Sequence, residues 1–267
     1  MHPLYLNLPQ IPSIPSDALS QPRFDLPKFS GKPSYKCLVA STPRSGSSLL
    51  GRLLHENGLG VPNEYLHPSV HIPFLAHRWG LIEAGKVNLS LYLQTCFQYR
   101  TTQEGVFTCK AHWNQFQPFF NKGVLQRYFE GTRFVMIRRR DLLGQAISHE
   151  IASQTGQWSS YWPKSKEPAY SKESIRKRMQ AVLNENANWR MFFAQNDINW
   201  LEVVYEDLLR DPLDMIQKVI DHLIPEFGLQ ANASIESSGI SKQRNSINQC
   251  WRERFVREAS NWIIDMR

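Results

Sequence analysis

The chain has 267 residues, with 31 Lys and Arg against 24 Asp and Glu, and an apolar content of 42%. This length and composition suit a globular α/β protein with one domain and a sizeable core. No stretch of about 18 apolar residues occurs, which excludes a membrane-spanning helix. The formal net charge of +7 favours an anionic partner: nucleic acid, a membrane surface or a small phosphorylated ligand.

Residues 1–30 form a proline-rich stretch with a composition unlike that of the rest of the chain. We expect it to be an extended arm ahead of a single domain over residues 31–267. The stretch has neither the basic segment nor the continuous apolar segment of a secretory signal peptide. The cysteines also lack metal-ligand spacing, so we expect reduced thiols, no metal site and a cytoplasmic protein.

The first strong structural signal is a strand, a tight turn and a helix. An apolar run predicts a strand over residues 35–41, and an amphipathic run predicts a helix over 46–57. The first N–H groups of such a helix have no intrahelical acceptor, and the helix dipole adds partial positive charge there. The turn supplies a charged fork, a glycine and hydroxyl donors: Arg44, Ser45, Gly46, Ser47 and Ser48. This pattern predicts a site for a phosphate or sulfate group, although serine-rich helix caps share its composition.

The turn differs from the loop that binds nucleoside triphosphates. That loop has the sequence G-x-x-x-x-G-K-[ST], whereas this turn contains no lysine and a single glycine. We therefore expect a different kind of phosphorylated ligand.

Further strands and helices alternate along the chain after the turn. We predict strands over residues 105–111, 132–138 and 198–205, and helices over 141–154, 172–195, 208–223 and about 245–262. This alternation predicts an α/β fold of the P-loop-like, three-layer type, with a central parallel sheet flanked by helices. Ligands of such folds bind at the carboxyl ends of the strands.

A second basic site follows the predicted strand 132–138. Arg139 and Arg140 lie at the end of this strand, and Ser148 lies about two turns along the next helix. These three side chains could hold one phosphate, although a solvated run of charges would have the same sequence. Two anion sites at the ends of two strands indicate a ligand with two separated anionic groups.

These motifs resemble those of a known enzyme family. Residues 42–50 resemble the 5′-phosphosulfate loop of sulfotransferases that use 3′-phosphoadenosine 5′-phosphosulfate (PAPS), and residues 139–148 resemble their 3′-phosphate site. Further motifs recur in the order of the trehalose 2-sulfotransferase family: Asn63-Glu64-Tyr65, Gly105 to Lys110, Trp113-Asn114-Gln115, Gln154-Thr155, Trp158, Val204-Tyr205, and Gln243-Arg244 with Trp251 and Arg254. The resemblance covers residues 35 to about 258 and leaves the N-terminal arm outside it.

The resemblance implies that PAPS donates a sulfuryl group without help from a metal. Arg44 and the backbone and hydroxyls of residues 45–48 would hold the 5′-phosphate. Arg139, Arg140 and Ser148 would hold the 3′-phosphate, with Arg244 closing over the nucleotide from a C-terminal loop.

The acceptor is expected to be a hydroxyl group of a carbohydrate or glycolipid. Glu64 matches the general base of the family, with His67 and His71 as alternatives, and Lys110 could neutralise sulfate oxygens. Trp113 and Trp158 could line the acceptor or nucleotide pocket, since aromatic faces stack on sugars.

Two other functions compete with sulfuryl transfer. A P-loop kinase should show a lysine in the turn and an acidic metal ligand at the end of strand 132–138, and the sequence has neither. A non-enzymatic polyanion binder should spread its basic residues along one face rather than at strand ends. We therefore expect a small-molecule acceptor and no nucleic acid partner.

The sequence leaves the acceptor itself open. Val61 stands where we expect trehalose-sulfating relatives to carry an acidic residue, so trehalose is in doubt as the substrate. The oligomeric state, including a homodimer, and the role of the arm are also left open.

Overall fold

The computed structural model describes residues 4–8, 10–16, 18–120, 123–158, 162–232 and 246–264. The strands within these ranges are β1 (Tyr5–Asn7), β2 (Tyr35–Ser41), β3 (Ile82–Glu83), β4 (Lys86–Asn88), β5 (Val106–His112), β6 (Arg133–Arg138) and β7 (Trp200–Val204). The α-helices are α1 (Ser47–Glu56), α2 (His71–Arg78), α3 (Leu89–Arg100), α4 (Trp113–Phe120), α5 (Val124–Phe129), α6 (Leu142–Thr155), α7 (Lys172–Gln195), α8 (Tyr205–Arg210), α9 (Pro212–Leu223) and α10 (Ser246–Ile264).

A parallel sheet with the strand order β5-β2-β6-β7 forms the centre of the protein. Its side chains alternate between two apolar cores, as the two-residue period of a strand requires. In β2, Leu38 and Ala40 face a core shared with α2, α3, α4 and α7. Cys37 and Val39 face the opposite core, which is shared with α1 and α9. The predicted fold, a parallel sheet between two layers of helices, is therefore confirmed.

Most predicted element boundaries agree with the structure to within two residues. The exception is the helix predicted over 208–223, which is two helices, α8 and α9, that meet at Asp211. Pro212 has no backbone N–H to continue the first helix, and the Asp211 side chain accepts a hydrogen bond from the Asp214 N–H at 3.1 Å. A new helix therefore begins at Pro212, within the range that the sequence predicts as one helix.

The described part of the N-terminal arm packs against the domain. Strand β1 pairs antiparallel with β4, which also pairs with β3 in a small second sheet. Further along the arm, Ile14, Ala18 and Leu19 are buried. The fully buried Arg100 of α3 donates to the Leu19 carbonyl at 2.6 Å and forms an ion pair with Asp25 at 2.8 Å. The charged side chain of Arg100, in the domain, thus binds a backbone carbonyl of the arm.

The cysteines are free: Cys37, Cys96 and Cys109 are buried, and Cys250 is exposed. Burial raises the pKa of the Cys37 and Cys96 thiols to about 12, so both are protonated at neutral pH. Among the described residues, no helix has both the length and the apolar character needed to cross a membrane.

Candidate active site

A cavity of about 1100 Å³ opens at the carboxyl ends of β2, β5 and β6. It brings together residues from the turn before α1, from the segment after α1, and from β5, α6 and α7. The edge of the sheet that the sequence predicts as the ligand site is therefore the edge with the cavity. Its lining contains most of the candidate residues: Arg44, Gly46, Ser47, Ser48, Glu64, His67, His71, Lys110, Arg139, Ser148 and Trp158.

The turn between β2 and α1 is folded more tightly than an ordinary helix cap. Arg44 and Gly46 both have positive φ angles, 64° and 98°. A Cβ atom on Gly46 would lie 2.2 Å from Cδ2 of Tyr205, so only glycine fits there. The hydroxyl of Ser45 is buried and has no hydrogen-bond partner among the described residues. Ser45 is fully buried and does not line the cavity, whereas Arg44, Gly46, Ser47 and Ser48 do.

Two helices hold this turn in place from behind. The Gln145 side chain of α6 donates to Thr42 Oγ1 and to the Pro43 carbonyl, both at 2.8 Å. The Trp189 indole of α7 donates to the Ser41 carbonyl at 3.1 Å. These three hydrogen bonds fix the backbone of the turn.

Arg44 reaches from the turn to the predicted second anion site. Its Nε donates to Ser148 Oγ at 2.9 Å, and its guanidinium also donates to the Trp158 carbonyl. Burial, together with the nearby Arg139, lowers the pKa of Arg44 to about 10. Arg44 therefore stays charged at neutral pH, and the two predicted anion sites lie side by side.

Arg139 and Arg140 point in different directions. Arg139 lines the cavity, lies 5.0 Å from the ring centre of Tyr205, and has a buried Nε without a hydrogen-bond partner among the described residues. Arg140 does not line the cavity; its guanidinium pairs with Asp207, and 53% of its side chain is exposed. Both residues follow the last residue of β6. The structure brings Arg139 to the site but turns Arg140 away from it, where Arg140 is held by Glu206 and Asp207.

Lys110 and Glu64 form the charged centre of the cavity. Lys110 Nζ lies 3.1 Å from Glu64 Oε1 and donates to Ser48 Oγ at 3.2 Å. Gln115 donates to the other carboxylate oxygen of Glu64 at 2.8 Å. Burial alone would raise the pKa of Glu64, but attraction by Lys110 and the neighbouring histidines holds this pKa well below its usual range. Glu64 is therefore ionised at neutral pH.

His112 is a cavity residue that the sequence analysis missed. Its Nδ1 lies 3.0 Å from Ser41 Oγ, and its Nε2 lies 3.9 Å from Glu64 Oε1. Its place in the cavity could have been predicted, because it lies two residues after Lys110 on the same strand and alternate residues of a strand share a face. Burial lowers the pKa of His112 and of the alternative base His67, so both rings are neutral at neutral pH.

His71, the other alternative base, is tied to the arm. Its Nδ1 lies 2.8 Å from the hydroxyl of Ser20. Burial lowers the pKa of His71 to about 3, so this ring is also neutral at neutral pH.

The two candidate tryptophans differ in position. Trp158 lines the cavity beside His149, with 6.0 Å between the ring centres. Trp113 does not line the cavity and packs in the core, 5.2 Å from the ring of Trp189. It starts α4 directly after β5, which directs its ring at α7. Arg244 lies outside the described residues and stays a prediction.

Glu185 of α7 lies on the same cavity without a charged partner in the structure's described part. Its Oε2 is buried and accepts no hydrogen bond there. Burial raises the pKa of Glu185 to about 7, and only a backbone N–H of Trp113 opposes this shift. Within the same ranges, no three His, Cys, Asp or Glu side chains are grouped so that they could hold a metal ion.

Known proteins with similar sequences are sulfotransferases. A family model described as Stf0 sulphotransferase matches residues 34–258. The chain is 25% identical over 257 residues to trehalose 2-sulfotransferase from Mycobacterium tuberculosis, an alignment that covers 83% of this chain and 94% of that protein.

Two solved structures that resemble the chain are also sulfotransferases. Mouse sulfotransferase SULT7A1, complexed with PAP, has a TM-score of 0.40 and 14% identity; the match covers 76% of this chain and 62%, less than two thirds, of the mouse chain. The sulfotransferase domain of the Synechococcus PCC 7002 olefin synthase has a TM-score of 0.42 and 16% identity; the match covers 85% of this chain and 90% of that chain.

The buried carboxyl of Glu185 gives a test of the cavity geometry. Its raised pKa means that the stability it contributes is complete below pH 4.5 and is lost as the pH rises through about 7. We compare the free energy of unfolding of Glu185→Gln with that of the unmodified protein. This difference should favour the variant more at pH 8 than at pH 5, by up to about 3 kcal/mol. Thermal unfolding of both proteins across this range measures the difference. Glu173→Gln, on the exposed side of the same helix, is the control, and a Glu185→Gln effect that does not change with pH would contradict the assignment.

Proposed function

Because the chain belongs to the Stf0 sulphotransferase family and is a sulfotransferase, we propose that it transfers the sulfuryl group of PAPS to a hydroxyl of a small carbohydrate or glycolipid. The observation that carries this proposal is the convergence of Arg44, Lys110 and Arg139 on one cavity, with Glu64 beside them. Three cations on one cavity suit a donor with two separated anionic groups, and an ionised carboxylate suits an acceptor that must lose a proton.

The polar groups that line the cavity suit the two anionic ends of PAPS. At one end, the glycine-only position 46 and the hydroxyls of Ser47 and Ser48 suit the 5′-phosphosulfate, with Arg44 supplying charge. At the other end, Arg139 and Ser148 suit the 3′-phosphate. Arg44 donates to Ser148 in the structure, so the two ends of the site already share a hydrogen bond.

Most of the catalytic effect would come from positive charge that is in place before the reaction. When bound, PAPS would supply an electrophilic sulfur and a phosphate leaving group. Lys110 lies between Ser48 and Glu64 and would turn from Glu64 toward negative charge on the donor. Arg44 is fixed by its hydrogen bonds to Ser148 and to the Trp158 carbonyl, so its charge is in place before the reaction. Preorganised charge of this kind is commonly the largest single contribution to catalysis.

Glu64 is the proposed proton acceptor for the sugar hydroxyl. Its low pKa makes it a weak base while Lys110 is its partner. An anionic group that draws Lys110 toward itself would raise the pKa of Glu64 and so strengthen the base. His112 has Nε2 3.9 Å from Glu64 and is a neutral second acceptor within the same cavity.

A homodimer stays a prediction.

Arg139→Ala and Arg140→Ala form a matched test of the donor site. Arg139→Ala should lower the affinity for adenosine 3′,5′-bisphosphate (PAP) by about 10- to 100-fold, because a charge-assisted contact is worth roughly 1.5–3 kcal/mol. The same variant should lower the affinity for adenosine 5′-phosphate much less. Arg140→Ala should change neither affinity by more than about twofold, since Arg140 pairs with Asp207 instead. Calorimetric titration of both nucleotides measures this, and equal losses for PAP and adenosine 5′-phosphate in Arg139→Ala would reject the 3′-phosphate assignment.

Glu64→Gln should separate the proton acceptor from the binding residues. The amide keeps the shape of the side chain but cannot accept the proton, so kcat should fall by roughly 10²–10⁴ while PAP affinity stays nearly unchanged. Single-turnover transfer and PAP titration measure the two effects. His112→Asn is the companion variant. If it abolishes turnover while Glu64→Gln stays near normal, the base is His112 and the Glu64 assignment is wrong.

A further inference from the structure

Part of the cavity wall comes from outside the region that matches the family. The family match begins at residue 34, yet Pro12, Ala18 and Leu19 line the same cavity as Glu64 and Lys110. We call residues 10–16 and 18–25 the arm segment. The arm segment therefore lies outside the residues matched to the family model and still reaches the candidate active site.

Buried hydrogen bonds hold the arm segment in place. Arg100 donates to the carbonyls of Leu19 and Ser20, and Gln21 donates to the carbonyls of Ile14 and Pro15 at 2.7 and 3.0 Å. The ion pair between Arg100 and Asp25 closes the base of the segment. A wall anchored in this way can select ligands, because it cannot move aside without leaving a buried charge unpaired.

The arm segment also adjoins the proposed proton acceptor. The Ser20 hydroxyl accepts a hydrogen bond from the Asn63 side chain at 2.6 Å, and Asn63 Oδ1 accepts from the Glu64 backbone N–H at 2.8 Å. The Asn63 carbonyl in turn accepts from the Lys110 backbone N–H at 2.9 Å. Two consecutive hydrogen bonds, both made by the Asn63 side chain, therefore connect the arm segment to Glu64. These bonds place the arm segment on the acceptor side of the cavity.

Among the described residues, the lining of this side contains an apolar patch. Pro12, Ala18 and Leu19 of the arm segment join Pro62 and Val70 around Glu64 and the two histidines. Arg52, Asn63 and Gln115 also line the cavity and can hydrogen-bond a sugar ring, but the apolar patch offers no hydrogen bond, and a hydroxyl left unpaired against it is costly. An alkyl or aryl group would instead exclude water from this wall.

We propose that the arm segment is a specificity wall, which selects acceptors that carry an apolar alkyl or aryl group beside the sulfated hydroxyl. The proposal rests on the proposed function, because it narrows the acceptor class of the same site. It places alkyl glycosides and glycolipids ahead of free sugars and disaccharides.

Octyl and methyl β-glucoside test this proposal, because they differ only in the apolar group. Calorimetry on PAP-saturated full-length protein, below the micelle concentration of the octyl compound, should show at least about tenfold tighter binding of octyl glucoside. Leu19→Ala should reduce this preference by roughly three- to tenfold. Ile14→Ala removes a buried side chain of the same segment that does not line the cavity, so it should keep the full preference even where it lowers the melting temperature.

The possible results separate the two proposals. Equal affinity for the glucosides, no binding of either, or an unchanged preference in Leu19→Ala overturns the specificity wall and leaves the donor assignment intact. Failure of the unmodified protein to bind PAP overturns the proposed donor, and the glucoside preference is then judged on the protein without nucleotide. If Leu19→Ala does not fold, Pro12→Ala replaces it, since Pro12 is only half-buried and lines the same wall.

Discussion

Repulsion between buried cations is the constraint on which the site depends. Arg44, Lys110 and Arg139 converge on one cavity, and the pKa of Arg44 is lowered by its burial and by the charge of Arg139. The fold holds Arg44 with the Ser148 hydroxyl and the Trp158 carbonyl. It holds Arg139 against the face of the Tyr205 ring, 3.9 Å from carboxylate oxygens of Asp141 and Glu206, and it pairs Lys110 with Glu64 at 3.1 Å. An anionic ligand would relieve this repulsion. The cluster of cations would therefore favour an anionic ligand in the cavity.

The charged centre could be predicted where it lies at the ends of strands. The apolar run of β2 and the turn after it locate Arg44 and Gly46, because a parallel sheet places the ends of its strands at one edge. Lys110 and Arg139 follow from the same rule. The presence of His112 follows from the two-residue period of β5, but only once the last residue of this strand is known. The different directions of Arg139 and Arg140 do not follow from this rule, because both residues lie beyond the end of β6.

The acceptor side could not be predicted, because it is built from contacts between distant segments. Strand β1 pairs with β4, about 80 residues away, and neither is long enough to show a period. Arg100 is fully buried although arginine is almost always a surface residue. Its partners are carbonyls of the arm, and no sequence pattern marks a carbonyl as an acceptor. The proline-rich composition of the arm predicted an extended segment but did not show that Leu19 and Ser20 would lie beside the active site.

The most direct test of the central claim is transfer itself. Purified protein is incubated with radiolabelled PAPS and a panel of alkyl glycosides in excess EDTA, and the products are identified by mass spectrometry. We expect a sulfate ester on a sugar hydroxyl together with an equal amount of PAP, because the cations that stabilise the leaving group belong to the protein. A strict requirement for Mg²⁺, or phosphoryl transfer from ATP to the same glycosides, would contradict this account.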